Sequence, residues 1–119
     1  MRSFLLLLFL ATTASVSSVA WAQQVLVTPS YKVTITEHCP EGVVGCDDVS
    51  YLGISIKTGS SITLKGTSVM VLCADGITPC HLSYYEFKHG EFRYLVYPSG
   101  QLTVEKGSKV LLSESGTWQ

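Results

Sequence analysis

Short runs of alternating apolar and polar residues, separated by compact turns, fill the C-terminal third of this 119-residue chain. A period of two places successive side chains on opposite faces of a sheet, as a half-buried strand requires. The turns between the runs contain Gly, and they are short enough for antiparallel hairpins. Four strands are predicted, at residues 82–87, 92–97, 101–104 and 109–113. Together they predict an antiparallel four-strand meander.

The preceding part of the chain is also strand-like. Further strands are predicted at residues 25–28, 31–37, 49–56, 61–65 and 69–73. Helical periodicity does not persist beyond a few residues, and the pattern leaves room for one short helix near 67–72. We therefore expect an all-β fold, either a small antiparallel sandwich or a barrel.

The N-terminal segment predicts export from the cytoplasm. Arg2 provides a positive start, residues 4–10 are an unbroken apolar run, and Ala20-Trp21-Ala22 fits the small-x-small pattern of signal-peptidase cleavage. The apolar run is too short to span a bilayer comfortably. We expect residues 1–22 to be a cleaved signal peptide and residues 23–119 to form a single domain.

Export determines how the four cysteines are interpreted, because thiols oxidise in extracytoplasmic compartments. They form two C-x6-C pairs, and two disulfides are expected. Local pairing of Cys39 with Cys46 and of Cys73 with Cys80 is favoured, since each pair brackets a segment rich in turn formers. A crossed pairing would close longer loops and constrain the unfolded chain more, so energy alone does not choose between them.

The charge balance gives no sign of a nucleic-acid or lipid partner. Removal of residues 1–22 takes away Arg2 and no acidic residue, which leaves seven Lys and Arg against nine Asp and Glu. These charges are mixed in sign and scattered, so they create no basic surface. No cysteine lies next to the predicted cleavage site, so we expect no lipoprotein anchor in the membrane. The sequence predicts a soluble periplasmic or secreted protein and leaves its oligomeric state open.

Catalytic and metal-binding constellations are sparse. His38 and His81 flank the two cysteine pairs, but six residues between cysteines fit a zinc knuckle poorly. Asp47 and Asp48 are adjacent in a loop, where their side chains diverge, and no G-x-S-x-G elbow occurs. We predict no enzyme activity, no cofactor and no metal. A small metal-dependent hydrolase that uses His38, His81 and an Asp is the alternative.

Both faces of the hairpin formed by residues 82–87 and 92–97 carry aromatic or aliphatic side chains. One face is core, and the other is either covered by the N-terminal strands or presents tyrosine to solvent. Tyrosine offers a large contact area with a polar tip, which suits recognition of a partner. The candidate binding residues are Tyr84, Arg93, Tyr94 and Tyr97.

Three segments resemble a group of small exported proteins of Gram-negative bacteria. They are Cys-Ala-Asp-Gly-Ile-Thr-Pro-Cys at 73–80, Cys-Asp-Asp-Val-Ser-Tyr-Leu-Gly at 46–53 and Lys-Thr-Gly-Ser-Ser-Ile-Thr-Leu-Lys-Gly at 57–66. The resemblance covers roughly residues 38–118. It implies export and carries no activity with it.

A second resemblance, to periplasmic lysozyme inhibitors, rests on size, export and the closing meander. The residues that carry it are Tyr94, Gly100, Lys106 and Gly107. It implies a small β-barrel that inserts a loop into the lysozyme cleft. The inhibitory Ser-Gly-x-x-Tyr signature is missing, because Gln101-Leu102-Thr103 follows Gly100.

The sequence thus predicts a non-catalytic periplasmic binding protein that acts through protein–protein interaction. An inhibitor or immunity role is one form of this function. The expected partner is an envelope protein, or an incoming hydrolase or toxin that the chain neutralises. A structural or stress-related envelope protein without a discrete partner is the remaining alternative.

Overall fold

A computed structural model describes residues 22–40 and 42–119, and all of the predicted signal peptide except Ala22 lies outside this range. The described residues form nine β-strands and no helix. The strands are β1 (Ala22–Val27), β2 (Tyr31–Glu37), β3 (Val49–Ser55), β4 (Ser61–Leu72), β5 (Pro79–His89), β6 (Phe92–Val96), β7 (Gln101–Lys106), β8 (Lys109–Ser115) and β9 (Thr117–Trp118). The predicted all-β class is confirmed.

The sheet is an up-and-down meander that returns to its first strand. Each strand from β1 to β7 pairs antiparallel with the next strand along the chain. β9 continues the direction of β8 beyond Gly116 and pairs with β1, with Thr117 opposite Val27. A closed sheet needs tilted, staggered strands. Here Ser115, at the end of β8, still pairs with Gln101 of β7. The next residues, 117–118, pair with β1. The result is a nearly closed barrel, one of the two predicted architectures.

The seam between the last and first strands is held by close backbone approach and by one carboxylate. A Cβ on Gly116 would lie 2.3 Å from the Val27 carbonyl oxygen, so only glycine fits there. The Glu114 carboxylate accepts hydrogen bonds from the Thr28 hydroxyl at 2.9 Å and from the Ser30 hydroxyl at 2.6 Å. Partial desolvation opposes ionisation, but these hydrogen bonds outweigh it and hold the pKa of Glu114 below its ordinary value.

The core lies inside the barrel and is built from alternate residues of the strands. Its most buried members are Leu26, Val33, Ile35, Val49, Tyr51, Phe87, Val96 and Leu102. The Tyr51 ring lies 5.2 Å from the Phe87 ring, measured between centroids. Glycines make room for both rings, because a Cβ on Gly53 would lie 2.7 Å from Tyr51 and one on Gly66 would lie 2.5 Å from Phe87.

The C-terminal meander is confirmed as β5 to β8, but the short helix near 67–72 is wrong. Those residues continue β4, which pairs with β5 from Gly66 to Leu72. The β-branched residues of this stretch suit a strand, and pairing with β5 supplies the hydrogen bonds that a helix would otherwise provide.

The disulfides join Cys39 to Cys46 and Cys73 to Cys80, which confirms the local pairing. The first closes the β2–β3 connection and the second closes the β4–β5 connection. In a meander these connections lie at the same end of the barrel, which we call the cysteine end. The β1–β2, β3–β4, β5–β6 and β7–β8 connections lie at the other end, which we call the open end.

Candidate functional site

β4 and β5 extend past the barrel as a two-stranded arm at the cysteine end. β3 pairs with β4 only as far as Gly66, and β6 pairs with β5 only from Tyr85 onward. Residues 67–84 therefore form a hairpin arm in which the two strands pair only with each other. The β2–β3 loop supports the base of this arm, because the Ser68 amide donates to the Cys46 carbonyl at 2.7 Å.

The tip of the hairpin arm, residues 73–80, is braced internally. Besides the disulfide, the Cys73 amide donates to the Thr78 carbonyl at 2.7 Å. The Asp75 carboxylate accepts from the amides of Ile77 and Thr78, each at 2.9 Å, and from the Thr78 hydroxyl. The hydroxyl bond first, and then the two amide bonds, lower the pKa of Asp75 to about 2. The carboxylate is therefore ionised at neutral pH and can accept all three hydrogen bonds of the turn.

The braced tip presents aliphatic side chains to solvent. Ile77 is 81 % exposed, and Val71 and Leu72 are also exposed on the hairpin arm. Val43 and Val44 of the β2–β3 loop are exposed as well. Isolated exposed aliphatic residues are ordinary on protein surfaces. Their concentration at the disulfide-bonded end marks it as a candidate interaction site.

The predicted tyrosine site is only partly assembled. Tyr84 and Tyr97 lie on the outer face of the barrel, with ring centroids 5.5 Å apart, and the Arg93 guanidinium lies 5.9 Å from the Tyr84 centroid. Tyr94 lies on the opposite, inner face, 5.5 Å from the Tyr51 ring. The structure brings together Tyr84, Arg93 and Tyr97 and separates Tyr94 from them.

Arg93 is occupied by intramolecular partners. Its guanidinium forms a two-pronged ion pair with Glu86 at 2.8 and 3.1 Å, contacts Glu105 at 3.5 Å and donates to the Tyr84 hydroxyl at 3.3 Å. Although desolvation opposes it, this pairing lowers the pKa of Glu86. Leu95 lies directly opposite Glu86 in the sheet and is only 3 % exposed. The hydrogen-bonding capacity of Arg93 is therefore directed to groups within the chain.

The two histidines of the alternative hydrolase lie on different elements. His38 follows β2, with its Nε2 atom 2.7 Å from the Ser50 hydroxyl, and His81 pairs with Val71 in the hairpin arm. Among residues 22–40 and 42–119, no three or more His, Cys, Asp or Glu side chains are grouped as metal ligands. All four cysteine sulfurs are joined in disulfides.

The sequence-based prediction did not anticipate the tip of the hairpin arm as a site. Asp75-Gly76 reads as ordinary turn chemistry, and that is how it folds. The signal that was available is the single large aliphatic residue, Ile77, in an otherwise small and polar loop between two cysteines.

No protein-family model matches this chain, and neither a curated protein nor a solved structure matches it. The two disulfides fit an oxidising extracytoplasmic compartment. The described residues include no helix with the length and apolarity needed to cross a membrane. The fold and the covalent framework define a small disulfide-bonded β-barrel, and a role must be argued from its surfaces.

Proposed function

We propose that this chain is an exported, non-catalytic binding protein of the periplasm that recognises a protein partner through the tip of its hairpin arm. The observation that carries the proposal is the fixed exposure of Ile77 at the apex of a disulfide-closed turn. The predicted signal peptide and the two disulfides support the location.

Rigidity is what makes an exposed aliphatic residue useful for binding. Ordering a flexible loop on association costs free energy, and a preformed loop avoids most of that cost. The disulfide, the Cys73–Thr78 backbone bond and the Asp75 hydrogen bonds hold Ile77 in place before any partner arrives. Binding energy in protein interfaces concentrates in a few such anchors that fill a desolvated pocket.

The chemistry of the tip specifies the complementary surface. Asp75 is the only charged residue between Cys73 and Cys80, and its carboxylate oxygens accept hydrogen bonds within the turn. The tip therefore offers aliphatic surface and backbone groups, and the partner needs an apolar pocket in a cleft. A clefted hydrolase or toxin fits this description, which favours the inhibitor or immunity form of the function.

The test compares two exposed isoleucines in loops at opposite ends of the barrel. Ile77→Ser removes the anchor, and Ile56→Ser in the β3–β4 connection is the matched control, since Ile56 is 56 % exposed. Both changes are exposed, so stability stays within about 0.5 kcal/mol of the parent. The protein purified from the periplasm is used to capture partners from periplasmic extract and from lysates of competing bacteria.

We expect a saturable protein partner that Ile77→Ser loses and Ile56→Ser retains. Equal capture by both variants would contradict the tip as the binding surface. A Tyr84→Ala/Tyr97→Ala variant examines the outer tyrosine face in the same assay. Loss of capture in that variant alone would place the binding surface at Tyr84 and Tyr97 and contradict the tip.

A further inference from the structure

The open end of the barrel contains a cavity of about 560 Å³ between the β3–β4 connection and β8. Its inner walls include Tyr31, Tyr51, Tyr94, Leu102, Val104 and Leu112. Hydroxyl-bearing residues of and beside the β3–β4 connection, such as Ser55 and Thr58, form the rim. The interior of a small barrel is either filled by side chains or left wide enough for one small ligand. The volume is in the range of small-molecule sites in proteins.

Tyr51 differs from the other deeply buried tyrosine in its hydrogen bonding. Tyr51 and Tyr85 are each 2 % exposed. The Tyr85 hydroxyl donates to the Glu37 carboxylate at 2.5 Å, whereas the Tyr51 hydroxyl bonds to none of the residues that the structure describes. Buried hydroxyls normally have a partner, so the unused Tyr51 hydroxyl needs an explanation.

The Tyr51 hydroxyl is reached from the cavity. Within the described part of the chain, no fully enclosed side-chain oxygen or nitrogen lacks a hydrogen-bond partner, so this oxygen is in contact with open space. Tyr51 lines the cavity together with Tyr31 and Tyr94. Burial first, and then the proximity of Tyr94 and Tyr31, raises the pKa of Tyr51, which keeps its hydroxyl protonated and able to donate.

The lining also restricts the charge of an occupant. None of the lining residues is charged, and the walls combine aromatic and aliphatic side chains. An ion would lose its hydration there without gaining a counter-charge, which is costly. An apolar body with one group that accepts a hydrogen bond matches both the walls and the free donor.

We propose that this cavity binds one small uncharged organic molecule, with an apolar body and a carbonyl-type acceptor to which the Tyr51 hydroxyl donates a hydrogen bond. The site lies at the end opposite to the hairpin arm. It is therefore independent of recognition through Ile77.

The test uses Prodan, an uncharged naphthalene ketone whose fluorescence shifts to the blue in apolar sites, and the protein purified from the periplasm. We expect saturable binding of one probe per chain. Tyr51→Phe removes only the donor, and weakens binding about 2- to 12-fold, as loss of one hydrogen bond does. Val104→Trp fills the cavity and abolishes binding.

Tyr85→Phe is the matched control, because Tyr85 is equally buried but does not line the cavity. It leaves Prodan affinity unchanged while lowering the melting temperature, since it breaks the bond to Glu37. Tyr51→Phe shows the reverse pattern, with reduced affinity and little change in melting temperature.

Competition with 2-acetylnaphthalene and with 2-isopropylnaphthalene isolates the acceptor, because the two molecules have similar shapes and only the first has a carbonyl. The ratio of ketone to hydrocarbon affinity falls in Tyr51→Phe by the same factor as Prodan binding. Absence of saturable Prodan binding, or equal ratios in the parent and Tyr51→Phe, would overturn the proposal even if Val104→Trp failed to fold.

Discussion

Some polar and apolar side chains of this barrel stabilise the fold, whereas others remain available to bind a partner or a ligand. Their hydrogen bonds show to which group each belongs. Arg93 and Asp75 belong to the first group, because their hydrogen-bond partners lie within the chain. Ile77 and the Tyr51 hydroxyl are free, one at the surface and one within the cavity. The two proposed sites are therefore built on a side chain that the fold leaves exposed and on a hydroxyl that the fold leaves without a hydrogen-bond partner.

Asp75 gives a pH-dependent prediction at this scale. Its pKa is lowered from 3.8 to about 2, so its hydrogen bonds stabilise the turn fully above the ordinary value and are lost as pH falls through the lowered one. We expect the amide chemical shifts of Ile77 and Thr78 to titrate together with a midpoint near pH 2. The control Asp75→Asn keeps an acceptor oxygen and shows no titration. A midpoint near 4 in the parent would mean that the carboxylate does not brace the turn.

The hairpin arm is the element that behaves most independently of the barrel. Leu82, near the base of the arm, packs against the core. From Leu82 toward the tip the two strands pair only with each other, so they can separate there without opening the core. By constraining the unfolded chain, its disulfide contributes roughly 2.5 kcal/mol to the free energy of unfolding. Part of that constraint acts on local opening and not on global unfolding.

We expect Cys73→Ala/Cys80→Ala to speed hydrogen exchange in the hairpin arm at least tenfold, while amides of the buried strands β2 and β3 keep their protection. The free energy of global unfolding falls by less than about 2.5 kcal/mol. Hydrogen exchange read by mass spectrometry and urea unfolding measure these two effects. Uniform loss of protection across the barrel would show that the arm and the barrel unfold as one unit.

The strands and the disulfides were predictable because their signals are local. Alternation in residues 92–97 predicts that Tyr94 and Arg93 lie on opposite faces of the sheet, as observed. The candidate binding residues nevertheless included side chains from both faces. Strands were predicted at 61–65 and 69–73, but their union into the single strand β4 was not predictable. Gly66 looks like a break in the strand, but a Cβ there would collide with the backbone carbonyl of Glu86 and with the Phe87 ring, both distant in sequence. The cavity is lined by residues from distant parts of the chain, so no short sequence segment predicts it.

Closure of the sheet is a property of the whole molecule, and it depends on Gly116. β9 reaches β1 only because the backbone at Gly116 passes within contact of the Val27 carbonyl, and the Gly116 amide donates to the Gly100 carbonyl at 2.8 Å. Two paired residues close the ring, Thr117 and Trp118. A strand of two residues cannot be distinguished in the sequence from an unstructured C-terminal segment.

Gly116→Ala should loosen this closure and cost about 1–3 kcal/mol, as overpacking does. After removal of the predicted signal peptide, Trp118 is the only tryptophan, and its indole donates to the Pro98 carbonyl at 2.9 Å. We expect its emission to shift to the red in folded Gly116→Ala. Gly107→Ala is the control, because it adds left-handed backbone strain in open space and leaves the Trp118 environment intact. Unchanged emission in Gly116→Ala would show that the seam tolerates a side chain.

The contact between Val27 and Thr117 also dictates when this protein can finish folding. β1 pairs with residues 117–118, which lie far from it along the chain, so the sheet cannot close until residue 118 has been made. Such long-range pairing forms slowly. The other strand pairs join neighbours in sequence, so we expect closure of the sheet to follow the formation of the hairpins.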